Sequence, residues 1–405
     1  MNWRTGLEQR LNHAETATNT APSAGNQGPL SDLLVLDMAQ FLAGPSAALQ
    51  LADLGARVIK VERPQSGDLC RDLYLSDTDI AGDSTLFHAI NRNKESLAVD
   101  LKDSRQLAEL RRLVAQADVI IQNFRPGVIE RLGLGYDDVK AINPSLIYAS
   151  VSGFGSAGPW AALPGQDLLA QARSGVMWLT GSADHGPMPI GLSVADMLAG
   201  HVLAKGILAL LVRRARTGLG GRIETSLLEV LVDFQFELLT TYLNDGRRLP
   251  TRAAAHGANA YLAAPYGVYR TADGHLALAM TPLARIGELL DLPGLGDAGN
   301  GFDGRDALLD RIAARLASRT TQEWLSILEP AGIWTAAVLD WQQLLDAESF
   351  RALDMLQAIN GRGRSILTTA SPMRIDGQRP GSARGAPRVG EHSAAIAAEF
   401  GLALA

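Results

Sequence analysis

The sequence is poor in cysteine, in aromatic residues, in excess positive charge and in long apolar runs. Its 405 residues contain one cysteine, Cys70. A single thiol excludes an intramolecular disulfide and a Cys-rich metal site, and the expectation is a reducing, cytoplasmic setting. Lys and Arg number 37 against 43 Asp and Glu, a net charge of −6. Nucleic-acid binding without sequence preference needs a basic face, so that class is disfavoured. The longest apolar stretch, Met197–Val212, spans 16 residues and contains His201 and Lys205. It falls short of a membrane-spanning segment of ~18 uncharged residues and reads as a buried core helix. The first 29 residues have no apolar core of the kind a secretory signal needs, and carry Glu8 and Glu15. Neither a secretory signal nor a transit peptide is expected.

Several familiar motifs are also missing. There is no phosphate-binding G-x-x-x-x-G-K-[ST]. The seven histidines form no H-x-x-x-H pair, so no metal is expected. Gly153-x-Gly155-x-x-Gly158 follows a strand-like run, but Pro159 and Pro164 break the helix that should receive a pyrophosphate. It reads as a glycine-rich loop. Gly191-x-Ser193-x-Ala195 lacks the final glycine of a nucleophile elbow.

What is present is a globular composition, 47% apolar and 20% charged, with 41 glycines. At ~150 residues per domain the length suggests two to three domains. The glycine excess points to tight turns and close backbone approaches. Residues 1–30 read as a tail, in which 5–15 has the makings of a short helix. From Leu33 onward, short β-branched runs alternate with helical patterns. Strand signals lie at 33–38, 56–63, 96–101, 118–124 and 145–155, and helices follow Gly44-Pro45, at 105–117 and at 129–135. That alternation indicates βαβ units and a parallel, Rossmann-like sheet. A long helix is expected at 194–214 with Gly218 as its stop. Residues 247–265 mark a boundary, followed by strands at 266–271 and 275–280 and helices near 305–318 and 321–330. The segment from 379 reads as a loop leading to a terminal helix at 393–402.

One stretch carries chemistry, PMPIGLSVADMLAG. Ser193 stands at a helix start and Asp196 three residues later. Local sequence allows two readings. Ser193 and Asp196 form a capping box, or Asp196 is a reactive carboxylate in the first turn, where backbone N–H groups favour negative charge.

Six segments in order resemble the class III coenzyme A transferases, the CaiB/BaiF group that includes the α-methylacyl-CoA racemases. They are FLAGPSAALQLADLGARVIKVERPQSGD (41–68), NRNKESLAVDL (91–101), NFRPGVIERLGLGY (123–136), LIYASVSGFGSAGP (146–159), IGLSVADMLAG (190–200) and RVGEH (388–392). The resemblance implies an α/β fold with a Rossmann-like large domain over 31–225, completed by about 345–405. Linkers and a smaller α/β domain would occupy 226–344, and two subunits would interlock as rings in a homodimer. It implies an enzyme moving coenzyme A between an acyl-CoA and a carboxylic acid, with Asp196 as nucleophile and Asp167 and Gln166 beside it. It places CoA contacts at Phe41, Ala43, Arg63, Lys94, Asn123, Phe124 and Arg131. Cationic side chains suit phosphates, and an aromatic wall suits adenine.

Gln166 stands where the racemases carry a histidine, and an amide moves no proton at neutral pH. Transfer is therefore favoured over the alternatives, racemisation or a non-catalytic CoA-binding role. Leu42 replaces the glutamine of formyl-CoA:oxalate transferases, and Gly257-Ala-Asn259-Ala-Tyr261 lacks their glycine run, both against oxalate specificity. Arg247, Arg248 and Arg252 are candidates for attracting a second substrate carboxylate.

Overall fold

The computed structural model describes residues 28–404. The helix expected at 5–15 lies outside them. By packing, the chain divides into two units. The first contains residues up to Ala170, then Ser193–Val230 and the chain from Asp346. The second contains Gln171–Leu192 and Leu231–Leu345. The sequence reading ran the large domain unbroken to 225, whereas residues 171–192 pack with the second unit.

The first unit is built on six strands: β1 (Leu34–Asp37), β2 (Arg57–Glu62), β3 (Lys94–Ala98), β4 (Val119–Gln122), β5 (Ile147–Ser152) and β6 (Gly221–Ser226). All pairings are parallel, and the order across the sheet is 3-2-1-4-5-6. That order reverses between β1 and β4, which opens a crevice at the strands' C-terminal ends. The apolar, β-branched runs of β1, β2 and β4 are buried on both faces, as a parallel sheet requires. Leu34 and Leu36 share a core with Leu110, Leu113 and Ile396, which come from helices Ser104–Val114 and Ser393–Phe400.

On the other face lie α1 (Ala43–Asp53) and the long α3 (Val194–Thr217); between them in sequence a helix opens at Asp167, α2 (Asp167–Ser174). Among the described residues α3 alone has the length and apolarity of a membrane-crossing helix, and it packs along α1, β5 and β6. Gly218, at φ +70°, ends it in the left-handed conformation anticipated for its stop. Small residues set the α1–α3 distance. A Cβ on Gly200 would lie 2.0 Å from Ser46 Oγ and 3.0 Å from the Ala43 carbonyl oxygen.

The second unit carries an antiparallel sheet of β7 (Gly267–Arg270), β8 (His275–Leu278) and β9 (Thr335–Ala337), with β8 central. Helices Leu283–Leu290, Arg305–Leu316 and Thr321–Leu328 surround a core that includes Tyr269, Leu276, Ile286, Ile312 and Trp324.

Several elements escaped the sequence pattern, among them β6 and a C-terminal hairpin. β6 reads GRIETS, which begins with glycine and sets its one large apolar residue, Ile223, between two charges, so it shows no apolar run. The hairpin Leu356–Gly361 with Arg364–Thr369 turns at Arg362 (φ +54°) and Gly363 (φ +75°). It is docked by Arg362, which donates to Asp83 and to the Pro387 carbonyl oxygen. β3 also begins two residues earlier than its apolar run, since Lys94 and Glu95 already pair with Val58 and Ile59 of β2.

Gly200→Val is expected to destabilise the protein by on the order of 1–3 kcal/mol in chemical denaturation, because the added side chain forces α1 and α3 apart. Gly191→Ala, which meets nothing within 4 Å, serves as the neutral control. A Gly200→Val protein as stable as wild type contradicts this packing.

Candidate active site

The crevice at the C-terminal ends of β1, β2, β3 and β4 holds a cavity of about 200 Å³. Its lining includes Gln40, Arg63, Asp68, Lys102, Phe124 and Leu132. The Gln40–Phe41 loop that rims it is fixed from two sides. Asn123 Oδ1 accepts the Gln40 N–H at 2.9 Å, and Asn123 Nδ2 donates to the Gln40 carbonyl at 2.7 Å. Asp68 Oδ1 accepts the Phe41 N–H at 3.1 Å. Phe41 is thereby held at φ +63° with its ring 44% exposed. A non-glycine residue in that region costs of order 1–3 kcal/mol and persists only where its surroundings impose it.

Beneath the cavity lies a buried ionic cluster. Lys60 Nζ pairs with Asp68 at 2.7 Å and donates to the Ala39 carbonyl at 2.9 Å. Lys94 Nζ pairs with Asp37 at 2.8 Å and donates to the Pro45 carbonyl and Asn91 Oδ1, each at 2.9 Å. Glu62 takes a two-pronged bond from Arg71 at 2.7 and 2.9 Å, and Arg71 also reaches Asp83 at 2.7 Å. Burial raises the Asp37 carboxyl, but the Lys60 and Lys94 charges outweigh it and hold the group below its ordinary value. Burial and the neighbouring Lys60 charge draw Lys94 down to about 8, against the pull of Asp37.

These facts sort the expected CoA contacts. Arg63 and Phe124 line the cavity. Phe41, Ala43 and Asn123 build its rim and the start of α1, with Ala43 buried and the Asn123 amide engaged on Gln40. Arg131 sits exposed on the turn Val128–Arg131, its Nη1 3.2 Å from where a Cβ on Gly127 would stand. Lys94 is fully buried with three acceptors around its three protons, which tie β3 to β1 and α1. Gln40, Asp68 and Lys102 were not singled out from sequence. Asp68 and Lys102 each lie in a loop just past a strand, where polar residues give no signal of their own.

The second part of the site is a pair of carboxylates. Asp196 lies in the first turn of α3, and its backbone N–H donates to Asp167 Oδ2 at 3.1 Å. Asp167 opens α2 and is buried. The SGFG loop passes directly over the turn before it, since a Cβ on Gly153 would lie 2.4 Å from the Gly165 Cα. That close approach explains the glycine motif by packing. Gln166 stands beside Asp167 with its side chain exposed. The capping-box reading fails, because Ser193 makes no side-chain cap bond. A carboxylate from another helix occupies that role. Burial, and then the Asp167 charge, push the Asp196 carboxyl up to about 7.

Arg252 is corrected. It is buried, donates to the Thr180 and Gly186 carbonyls at 2.9 and 2.6 Å, and lies over the Trp178 ring. Its charge serves the second unit's packing. Arg247 and Arg248 remain exposed.

The raised Asp196 carboxyl has a consequence for stability. Between the unfolded value near 4 and the folded value of about 7, the folded state binds more protons, so stability falls as pH rises through that window. Asp196→Asn is expected to match wild type near pH 4 and to exceed it above pH 7 by on the order of 1–3 kcal/mol. Denaturation curves across this pH range check it, and a variant that loses stability above pH 7 contradicts it.

The sequence matches the model of CoA-transferase family III over residues 30–393. It is 34% identical over 396 residues to acetyl-CoA:oxalate CoA-transferase of Acetobacter aceti, covering 95% of this chain and 98% of that protein. It is 36% identical over 314 residues to succinyl-CoA:glutarate CoA-transferase of Mus musculus, covering 75% and 71%. The fold resembles the crystal structure of a CaiB/BaiF family protein from Brucella suis, with TM-score 0.80, 33% identity and coverage of 92% and 99%. With its crevice and its paired carboxylates, this chain belongs to CoA-transferase family III, the CaiB/BaiF proteins, and is an enzyme of coenzyme A transfer.

Proposed function

We propose that coenzyme A passes from an acyl-CoA to a carboxylic acid through covalent intermediates on Asp196. The observation that carries this reading is the carboxylate pair: Asp196 half-buried in the first turn of α3, its N–H fixed by Asp167, its carboxyl raised to about 7. A partly desolvated carboxylate is a better nucleophile than a solvated one, and at neutral pH half of it is ionised.

The steps balance without a metal or a redox partner. The Asp196 carboxylate attacks the donor thioester carbonyl, forming a mixed anhydride and releasing the CoA thiolate. The thiolate attacks the aspartyl carbonyl, giving an aspartyl-CoA thioester and the free donor acid. The acceptor carboxylate attacks that thioester to form a second anhydride, and the thiolate takes the new acyl group, restoring Asp196. Asp167 is a positioning residue that orients the first turn and sets the charge felt by Asp196. The cavity at the strand ends takes the nucleotide of CoA, with Phe124 as a wall and Arg63 toward phosphate. The acceptor is proposed to be a dicarboxylic acid longer than oxalate, on the strength of the relative named for glutarate.

A homodimer is part of the proposal. Phe236, Leu243, Trp334 and Trp341 are each more than half exposed, apolar area of the kind that subunit contacts cover. A cytoplasmic setting is part of the proposal, in keeping with a sequence that holds a single cysteine, Cys70.

Asp196→Ala is expected to lower kcat by at least ~10³-fold with an unchanged fold. In wild type, kcat/KM should rise with pH through an inflection near 7, because the ionised carboxylate attacks. Asp167→Asn removes the charge that, after burial, raises Asp196, so the inflection should move down. An Asp196→Ala enzyme of full activity, or an inflection unmoved by Asp167→Asn, overturns this assignment.

A further inference from the structure

We propose that the C-terminal segment Val389–His392 is a positioning element of the CoA site, which acts through the buried Ser96 hydroxyl to hold the loop after β2 and the Phe41 rim in their binding conformation. The inference rests on CoA occupying the strand-end cavity.

The proposed chemistry gives the RVGEH motif no task, yet each of its residues is engaged. β3 is an edge strand, so its outward backbone groups need partners from elsewhere. The C-terminal segment supplies them. His392 donates its N–H to the Ser96 carbonyl at 3.1 Å and accepts the Ser96 N–H on Nδ1 at 3.2 Å. The Ser393 hydroxyl accepts the Ala98 N–H at 3.0 Å. Arg388 closes the turn by donating its N–H to the Glu391 carboxylate at 2.7 Å.

Covering an edge needs no more than this, but three further contacts point inward, at the cavity wall. The Gly390 N–H donates to Ser96 Oγ at 2.8 Å, and Ser96 Oγ donates to Glu62 Oε1 at 2.7 Å. Ser96 is fully buried, and with its proton and a lone pair both taken its hydroxyl has a fixed direction. Glu62 in turn accepts the Asp68 N–H at 2.9 Å, and Asp68 accepts the Phe41 N–H at 3.1 Å. A hydrogen-bonded line thus runs from Gly390 to the strained rim residue. The second contact is packing. Val389 backs Gly67, a residue of the cavity wall, where an added Cβ would lie 2.7 Å from Val389 Cγ2. The third is the Pro387 carbonyl, which accepts from Arg71 Nη2 at 3.1 Å, the same guanidinium that grips Glu62.

A left-handed Phe41 persists only while its surroundings impose it. Loosening Glu62 or Gly67 lets the free enzyme leave the binding conformation, and apparent affinity falls with the fraction that remains competent. Once CoA is seated, the carboxylate chemistry at Asp196 is unaltered.

Ser96→Ala removes the hydroxyl and leaves the backbone clip to His392 in place. Val389→Ala, which removes no hydrogen bond, is the second variant. Each should raise KM for an acyl-CoA, and the Kd of free CoA in titration calorimetry, by roughly tenfold, with kcat within about twofold of wild type. A merely structural role lowers the active fraction, and so the apparent kcat, at unchanged KM and Kd. That pattern in both variants overturns the proposal. Phe124→Ala separates the proposal from the placement beneath it. If it weakens CoA binding while Ser96→Ala and Val389→Ala do not, the positioning role fails and the cavity assignment stands. If none of the three weakens CoA binding, the cavity assignment fails and the proposal with it.

Discussion

The site depends on one bond between two acidic residues, the backbone N–H of Asp196 donating to the Asp167 carboxylate at 3.1 Å. A helix start leaves its first N–H groups without partners, and something must accept from them. Here the acceptor comes from the head of another helix, so capping α3 brings a second carboxylate close to Asp196. Partial burial, and then repulsion between the two, raise the Asp196 carboxyl. The same contact that completes the helix thus tunes the proposed nucleophile. The cost is negative charge held close to negative charge.

A second set of charges does the opposite work. Under the crevice, each buried lysine or arginine is matched to carboxylates and carbonyls across β1, β2, β3 and the loops after them. Buried pairs of this kind add little net stability but fix geometry, since removing one partner strands the other. They hold Gln40 and Phe41 in a conformation that an unconstrained loop would not adopt. α1 connects the two regions. Its first residues follow the cavity rim, and its Ser46 packs against Gly200, four residues past Asp196. An acidic protein can therefore carry exposed cations at this crevice, where Arg63 and Lys102 line the cavity above the buried pairs.

Much of this was legible in the sequence. β1, β2, β4 and β5 are short β-branched runs, and buried parallel strands require such runs. The ordered segments from 41 to 200 pointed to the family, and Asp196, Asp167, Arg63 and Phe124 fall where a site can use them. What the sequence did not disclose was who pairs with whom. Lys94 has the residue type of a phosphate ligand, yet three internal acceptors claim its protons. Arg252 looks like a surface charge and is buried against Trp178. Ser193 has the spacing of a cap and makes none, because the competing acceptor is 29 residues away in sequence. Each of these outcomes is set by tertiary contact, which local spacing does not encode. β6 and the C-terminal hairpin were hidden for a related reason, since their strands are specified by neighbours and turns more than by apolar pattern.

The central claim is that Asp196 itself becomes acylated. The direct measurement is peptide mass spectrometry after incubation with an acyl-CoA alone, followed by trapping with hydroxylamine or borohydride. The account predicts a hydroxamate or a reduced alcohol at Asp196 and at no other carboxylate, dependent on the acyl-CoA. An unmodified Asp196 peptide from enzyme that still transfers CoA, or an adduct on Asp167 instead, would contradict it.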